Sequence, residues 1–535
     1  MGAQNHKTIT SPAPIGGLNV KDSLAAMPPT DATVLVNFFP QPYGLELRQG
    51  TVKHAVVSAL AVETLVPQIG SGIHAALFAF SGAGMYNATE AGISVVHAPV
   101  VSGLGSSRWD YVSMGNASGR NTVCFDGIDD PIWIHDWDTG SSTFPITRIT
   151  YASGIPGAGQ ISGVDPKKIV GGTVHQRRIW MIEKDSTRAW YLAPEAITGE
   201  ARLFDFGGVF TKGGYLIAMG SWTLDSGIGP DDLMVAMSSQ GEIAIYSGAD
   251  PSSVATWSLR GVWYTGAPLG RRCIQRVAGD LLILTQYGLL SLATAIQTGD
   301  TSEAVSSSYL SDKIAYLISQ LASDLSEEFG WQVVNWPDTN MILVNVPLLG
   351  ENGQLVQSTI TKGWGQWDGI AAQCWTVFDH ALVFGDDKGN IWRAWEGNTD
   401  GAEQVDDQTI TEGQPIKGQC QTAFNYLGEH STVKHAKMVR PTFMNAVKVP
   451  YAIKVNPDFE YERATAPGNA QSIAGDLWGK GKWDEAKWRG SVQTQKLWTA
   501  VSGIGAAFAL TLAVNSSAPV LWATYDFMYE NGTNI

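Results

Sequence analysis

Residues 108–137 read RWDYVSMGNASGRNTVCFDGIDDPIWIHDW. Three short apolar runs, 109–114, 122–125 and 132–137, are separated by two turn segments, 115–119 and 126–131. The last run alternates apolar and polar residues after Trp133, the two-residue period of a half-buried strand. Asp126-Gly127 supplies a positive φ, and Pro131 lacks the backbone donor that a continuing strand needs. Three strands joined by tight loops make most of one small antiparallel sheet. This is the pattern of one blade of a β-propeller.

Related strand-turn-strand units occupy 73–86, 168–192, 233–246, 281–292, 341–367 and 381–395, and the second strand tends to end on an aromatic residue. Their spacing is irregular, about 35–60 residues, so the repeat is degenerate. A single blade cannot bury both faces, whereas a ring of blades can. The sequence therefore predicts an all-β protein with a propeller over 61–420. An N-terminal arm and β-hairpin precede it over 1–60, and a sandwich-like β module follows over 421–535.

The chain has 535 residues, 44% of them hydrophobic, with 59 Gly and 20 Trp, which suits a turn-rich β protein with large cores. Charged residues make up 16%, too apolar a balance for disorder. The net charge of −15 is uneven. Residues 431–496 hold 11 Lys/Arg against 6 Asp/Glu, a local +5, which leaves −20 on the remainder. Residues 385–412 hold eight carboxylates against two basic residues. A basic module and an acidic body can attract each other within or between subunits, or simply be solvated surface.

Cys124, Cys273, Cys374 and Cys420 are widely spaced with no CxxC, which points to reduced, buried thiols. The opening MGAQNHKTIT lacks the apolar core of a signal peptide. The run 501–514 (VSGIGAAFALTLAV) is too short and Gly-broken for a membrane span and reads as a core strand pair. Over 301–330 the β pattern gives way to Leu310, Ile314, Leu317, Ile318, Leu321, Leu325 and Phe329 at helical spacing. Ser311 fits an N-cap and Gly330 a C′ position. Such a helix either packs on a neighbouring subunit or covers its own blade edges.

Asn37, Pro40, Gly44, Leu47, Arg48 and Gly50 in VNFFPQPYGLELRQG fit an element that precedes the propeller in a family of phage proteins. The fragment FDGIDDPIWIHDW, with Asp126 and Gly127, is similar to a strand pair of phage propeller proteins, although Asp126 stands where Asn is usual. Ser311-Asp312-Lys313-Ile314 matches a helix start in the same setting. Together these resemble the tail hub, or nozzle, proteins of short-tailed bacteriophages, also called packaged-DNA stabilisation proteins. The resemblance implies a homo-oligomer, a hexameric ring, in the virion tail, assembled in the bacterial host cytoplasm. It further implies contact with portal and adaptor proteins, seats for tailspikes or fibres, and a channel that retains and passes packaged DNA without reading its sequence.

The chemistry-bearing motifs HExxH, P-loop, GxSxG and GxGxxG are missing, so no catalysis, cofactor or metal site is expected. His430 and His435 read as surface beside Lys434 and Lys437 rather than as metal ligands. Asp387-Lys388-Gly389-Asn390-Ile391-Trp392 fits a single, imperfect Asp box, which an Asp-Gly hairpin with a packed Trp produces by itself. The alternative function is therefore a soluble propeller that serves as a carbohydrate-binding module or glycosidase. In LWGKGKWDEAKWRG (477–490), Lys480, Lys482, Lys487 and Arg489 alternate with Trp residues. Single-strand binders interleave in this way, but Asp484 and Glu485 interrupt the run, which favours a packed loop and a candidate subunit interface.

Overall fold

The computed structural model describes residues 6–532 except 226–229, 254, 299–308, 348–352, 405–409, 412, 446–447 and 469–492. Seven antiparallel sheets form a β-propeller. Blade 1 is Val62–Ile69, Ala75–Ser81, Gly84–Asn87 and Pro99–Ser102; blade 2 is Asp110–Asn116, Gly119–Phe125, Ile132–Ile134 and Ile146–Arg148. Blade 3 is Ile169–His175, Arg178–Glu183, Arg188–Tyr191 and Arg202–Asp205; blade 4 is Leu216–Asp225, Pro230–Ser238, Glu242–Ser247 and Ser258–Tyr264. Blade 5 has three strands, Ile274–Val277, Asp280–Thr285 and Gly288–Ser291. Blade 6 is Gln332–Trp336, Met341–Val346, Gly353–Ser358 and Trp364–Trp367. Blade 7 is Ala372–Phe378, Ala381–Asp386, Asn390–Ala394 and Thr51–Val56. The first strand of each blade neighbours that of the next, and Ala372–Phe378 packs on Val62–Ile69, which closes the ring.

Alternating strand residues fill the layers between blades. Phe80, Trp109 and Cys124 lie between blades 1 and 2, and Trp180, Tyr191 and Trp257 between blades 3 and 4. Phe384, Trp367 and Trp375 lie between blades 6 and 7, and Leu77, Val383 and Ile391 between blades 7 and 1. Each layer removes several large side chains from water at about 25 cal/mol per Å² of apolar surface, which a lone blade could not do. Blade 2 turns at Asn116, whose Oδ1 accepts the Ser118 N–H, with Gly119 following at a φ of 104°.

Three expectations are corrected. Ring closure uses Thr51–Val56, so the 1–60 segment is not merely an arm and hairpin ahead of the propeller: its last strand is the outer strand of blade 7. The C-terminal module is not built from 421–535 alone. Its first sheet pairs His6–Pro12 with Leu521–Asn531, which also pairs with Lys434–Asn445 and Gly44–Leu47. Its second sheet runs outward from blade 6 through Asp31–Val36 and Gln414–Thr422 to Phe508–Ser516 and Tyr451–Pro457. Strand pairing between residues hundreds of positions apart leaves no local sequence signal, which is why the two chain ends read as separate pieces.

The third correction concerns the helix. It is a short 3-10 turn, Asp312–Ile314, followed by Ala315–Leu325, so it ends before Phe329. Ser311 makes no side-chain cap; its Oγ accepts the Leu289 N–H of blade 5 instead. Ile318, Ala322 and Leu325 are buried in the core shared with blades 5 and 6, and Ser319 Oγ donates to the Gln286 carbonyl. The helix thus covers the edge of three-stranded blade 5. A second helix, Leu292–Thr298, follows blade 5 and lacks a sequence signal of comparable length.

All four cysteines are free and buried. Burial raises the Cys124 and Cys420 thiols and pushes Cys273 and Cys374 up to about 12. A thiol so far from its thiolate form is a poor nucleophile. In the native protein at pH 8 a thiol-reactive chromogen should label none of the four within minutes and all four in denaturant; rapid native labelling would contradict the buried placement.

Candidate functional site

The N-terminal motif is a buried clamp. Asn37 adopts a left-handed φ of 58°, which Asn tolerates better than most residues. Its N–H donates to Gln366 of blade 6, and its Nδ2 to the Lys417 carbonyl of the module sheet. Its Oδ1 accepts from Asp368 N and from Arg48 Nε. Arg48 also donates Nη1 to Asp400 Oδ1 (2.7 Å) and Gln49 O, and Nη2 to Asp400 Oδ2 (2.5 Å) and Asp368 O. Gly50 crosses Thr399 so closely that a Cβ would lie 2.0 Å from the Thr399 oxygen. Pro40 packs on Gly363, and Gly44 sits under the Trp522 carbonyl. The motif residues therefore join blade 6, blade 7 and the module, and Asn37 also lines a cavity of about 580 Å³ together with Asp368, Asp386 and Asp400.

The second motif has the same character. Asp126 Oδ1 accepts from Ile128 N and Asp129 N, and Gly127 turns at a φ of 77° against Val170 of blade 3. Asp136, at the end of the same fragment, accepts from Ser71 N, Ser71 Oγ, Arg120 N and Trp137 N. It pins the loop of blade 1 to blade 2.

The axis of the ring carries a cavity of about 760 Å³, lined among others by Arg108, Asp110, Asp126, Arg271, Arg272 and Phe329. Arg272 precedes blade 5, yet it donates to Glu63 O and Thr64 Oγ1 of blade 1 and to Trp109 O. Blades 5 and 1 lie across the ring from each other, so this side chain spans the axis. Phe329 is wedged between guanidiniums, its ring centroid 4.6 Å from Arg108 and 5.0 Å from Arg272. Burial pushes the Asp110 carboxyl up, against the Arg272 charge and the N–H groups of Tyr111 and Gly172. The sequence reading missed this group. Its one signal was Arg271-Arg272 standing together just before an apolar strand.

Lys480, Lys482, Lys487 and Arg489 lie outside the described residues. Much of the remaining charge asymmetry is matched inside the chain. Asp400 pairs with Arg48 and Glu403 with Lys53; Arg440 pairs with Asp526 and Lys437 with Glu530. Lys434 is buried and donates to the carbonyls of Glu429, Thr432 and Ala506. In the Asp-box segment it is Asp386 that binds the Lys388 and Asn390 N–H groups and Trp392 Nε1, a hairpin cap. His430 stacks on Tyr426 at 4.1 Å, and His435 lies within Lys434–Asn445. Among the described residues no group of three or more His, Cys, Asp or Glu is arranged to hold a metal. Nor is any helix among them long and apolar enough to cross a membrane.

No family model matches the chain, and no curated protein matches it. Among solved structures it is similar to the exo-β-1,3-galactanase of Phanerochaete chrysosporium with galactose, at 10% identity and a TM-score of 0.26, over 78% of this chain and 95% of that one. That likeness is too low to assign an activity. The expectation of no catalysis is withdrawn, since it rested on missing motifs alone. Missing linear motifs are no ground against an activity that a propeller can assemble from carboxylates far apart in sequence.

Asp136 yields a pH test. Burial raises its pKa, but the Ser71 hydroxyl and the N–H groups of Arg120, Ser71 and Trp137 outweigh it and hold the carboxyl at about 2. The stabilisation is therefore complete above the unfolded value near 3.8 and lost as pH falls towards 2. Asp136→Asn should melt below the parent at pH 7, and the gap should close between pH 4 and 2. A gap that is independent of pH would contradict this.

Proposed function

We propose that the chain is a structural subunit of a short-tailed phage tail, the hub or nozzle ring below portal and adaptor. In that role it would retain packaged DNA, pass it at ejection and seat tailspikes or fibres. The observation that carries this reading is the clamp. Asn37 and Arg48, on which the family resemblance rests, bond directly to each other, and Gly50 passes against Thr399 beside Asp400, so the three positions meet at one junction. A heterologous ring needs two unlike faces on each subunit. A module fused to one blade of a propeller offers such asymmetry. Because Arg272 spans the propeller axis, the DNA channel in this reading belongs to the ring of subunits, not to the propeller of each.

A second reading, a carbohydrate-binding or carbohydrate-cleaving propeller, is favoured by the axial cavity. Its volume of about 760 Å³ falls within the range of small-molecule sites.

Electron microscopy and analytical ultracentrifugation of the pure protein, alone and with adaptor, should reveal closed rings of one size. Lys480→Glu, Lys482→Glu, Lys487→Glu and Arg489→Glu combined should impair ring closure while far-UV circular dichroism stays unchanged. Salt should slow assembly of the parent, because exposed charges are screened over about 3 Å at 1 M. A variant that sediments like the parent with the same salt response would refute the electrostatic seam. Monomers with and without adaptor would refute the hub reading.

A further inference from the structure

The propeller axis holds a second cavity, of about 390 Å³. Arg271, Arg272 and Asp110 line it as they line the first, whereas Glu327, Glu328 and Phe329 do not. The two cavities therefore meet at this group, and the second runs on from it along the inner strands. The first strand of every blade supplies part of its wall. Arg276, on the first strand of blade 5, is exposed and marks its solvent end.

The charge of this lining is one-sided. Arg271, Arg272 and Arg276 stand against Asp110, the one carboxylate on the wall, a net of +2. Asp110 is turned to backbone: its Oδ1 accepts the Tyr111 N–H, and a Cβ on Gly171 would lie 2.2 Å from its Oδ2. Among the described residues none of the three arginines has a carboxylate within ion-pairing distance, whereas Arg48, Arg108 and Arg440 each have one. Arg272 gives its bonds to neutral oxygens. Arg276 Nη2 donates to the Thr223 hydroxyl, which in turn donates to Asp232. The chain as a whole carries −15, so this surplus is local and not part of a general basic surface.

Guanidiniums without carboxylate partners in a recess select an oxyanion, because their forks match phosphate or carboxylate oxygens. Two features favour phosphate. A phosphoryl group carries about two negative charges at pH 7, which matches the wall, where a carboxylate carries one. It also offers three acceptor oxygens for donors on different blades: Arg276 on blade 5, the Thr173 hydroxyl on blade 3 and the Ser221 hydroxyl on blade 4. The volume lies within the range of small-ligand sites, and Ile217, Met219 and Val333 give an apolar side for a small organic body. A DNA duplex is far too wide to enter.

We propose that this second axial cavity binds a phosphoryl dianion, free or as the monoester of a small molecule, held by Arg271 and Arg276. The site is independent of both the hub and the carbohydrate readings, since it lies within each propeller and beyond the larger cavity.

Isothermal titration calorimetry of the full chain with inorganic phosphate, glycerol phosphate, acetate and glycerol tests it. One charge-assisted bond corresponds to about tenfold in affinity. Phosphate and glycerol phosphate should bind, acetate about tenfold more weakly and glycerol not at all; the tighter of the first two identifies the source of the phosphoryl group. Arg276→Gln should weaken both about tenfold, and phosphate should raise the melting temperature of the parent more than that of the variant. Arg271→Gln should do the same, an independent comparison should either variant lose stability. Acetate binding as tight as that of phosphate would overturn the phosphoryl assignment. Phosphate bound equally by the parent and both variants, or displaced by a short DNA duplex, would place it on the outer surface and overturn the site, as would absence of binding by both phosphates.

Discussion

The structure depends on one buried guanidinium. Arg48 is 2% exposed, and removing such a charge from water costs several kcal/mol unless every donor is matched. All five of its N–H groups find acceptors, on Asn37, Gln49, Asp368 and both oxygens of Asp400. The acceptors come from different parts of the chain: Asn37 and Gln49 from its beginning, Asp368 from the end of blade 6, and Asp400 from the return towards the module. The guanidinium can be satisfied only when these segments meet.

That requirement unites the two ends of the chain. The residues before and after Arg48 close blade 7 through Thr51–Val56 and enter the module through Gly44–Leu47. The strand Asp31–Val36 touches Trp364–Trp367 on one side and Gln414–Thr422 on the other, so blade 6 and the module share a continuous sheet. A ring closed by its own N-terminal strand resists opening at the seam, because the closing strand is anchored on both flanks.

What was legible in the sequence follows from range. Blade 2 was readable because its alternation, Asp126-Gly127 turn and Pro131 all act within thirty residues of one another. The helix was readable from its apolar period, but its end was not. Phe329 extends the period by chance of spacing and serves instead as a wedge between two guanidiniums. Ser311 looked like a cap because capping is local, whereas its hydroxyl faces a strand 22 residues earlier. The Asn37–Gly50 pattern was visible as a pattern. Its purpose was not, since Asp400 lies 352 residues from Arg48 and nothing near either residue announces the other. The axial group was invisible for the same reason: Asp110 and Asp126 share one hairpin of blade 2, but Arg271 joins them only once the ring has closed.

The most direct test of this account is a double-mutant cycle on Arg48 and Asp400 by denaturant unfolding, using Arg48→Met, Asp400→Asn and both together. If the clamp joins the chain ends to the ring, the two changes should be strongly non-additive, with a coupling of about 2 kcal/mol. Each single variant should also unfold over a broader transition than the parent, as the module and propeller part company. Additive losses within about 0.5 kcal/mol, with the parent's sharp transition retained, would contradict the clamp.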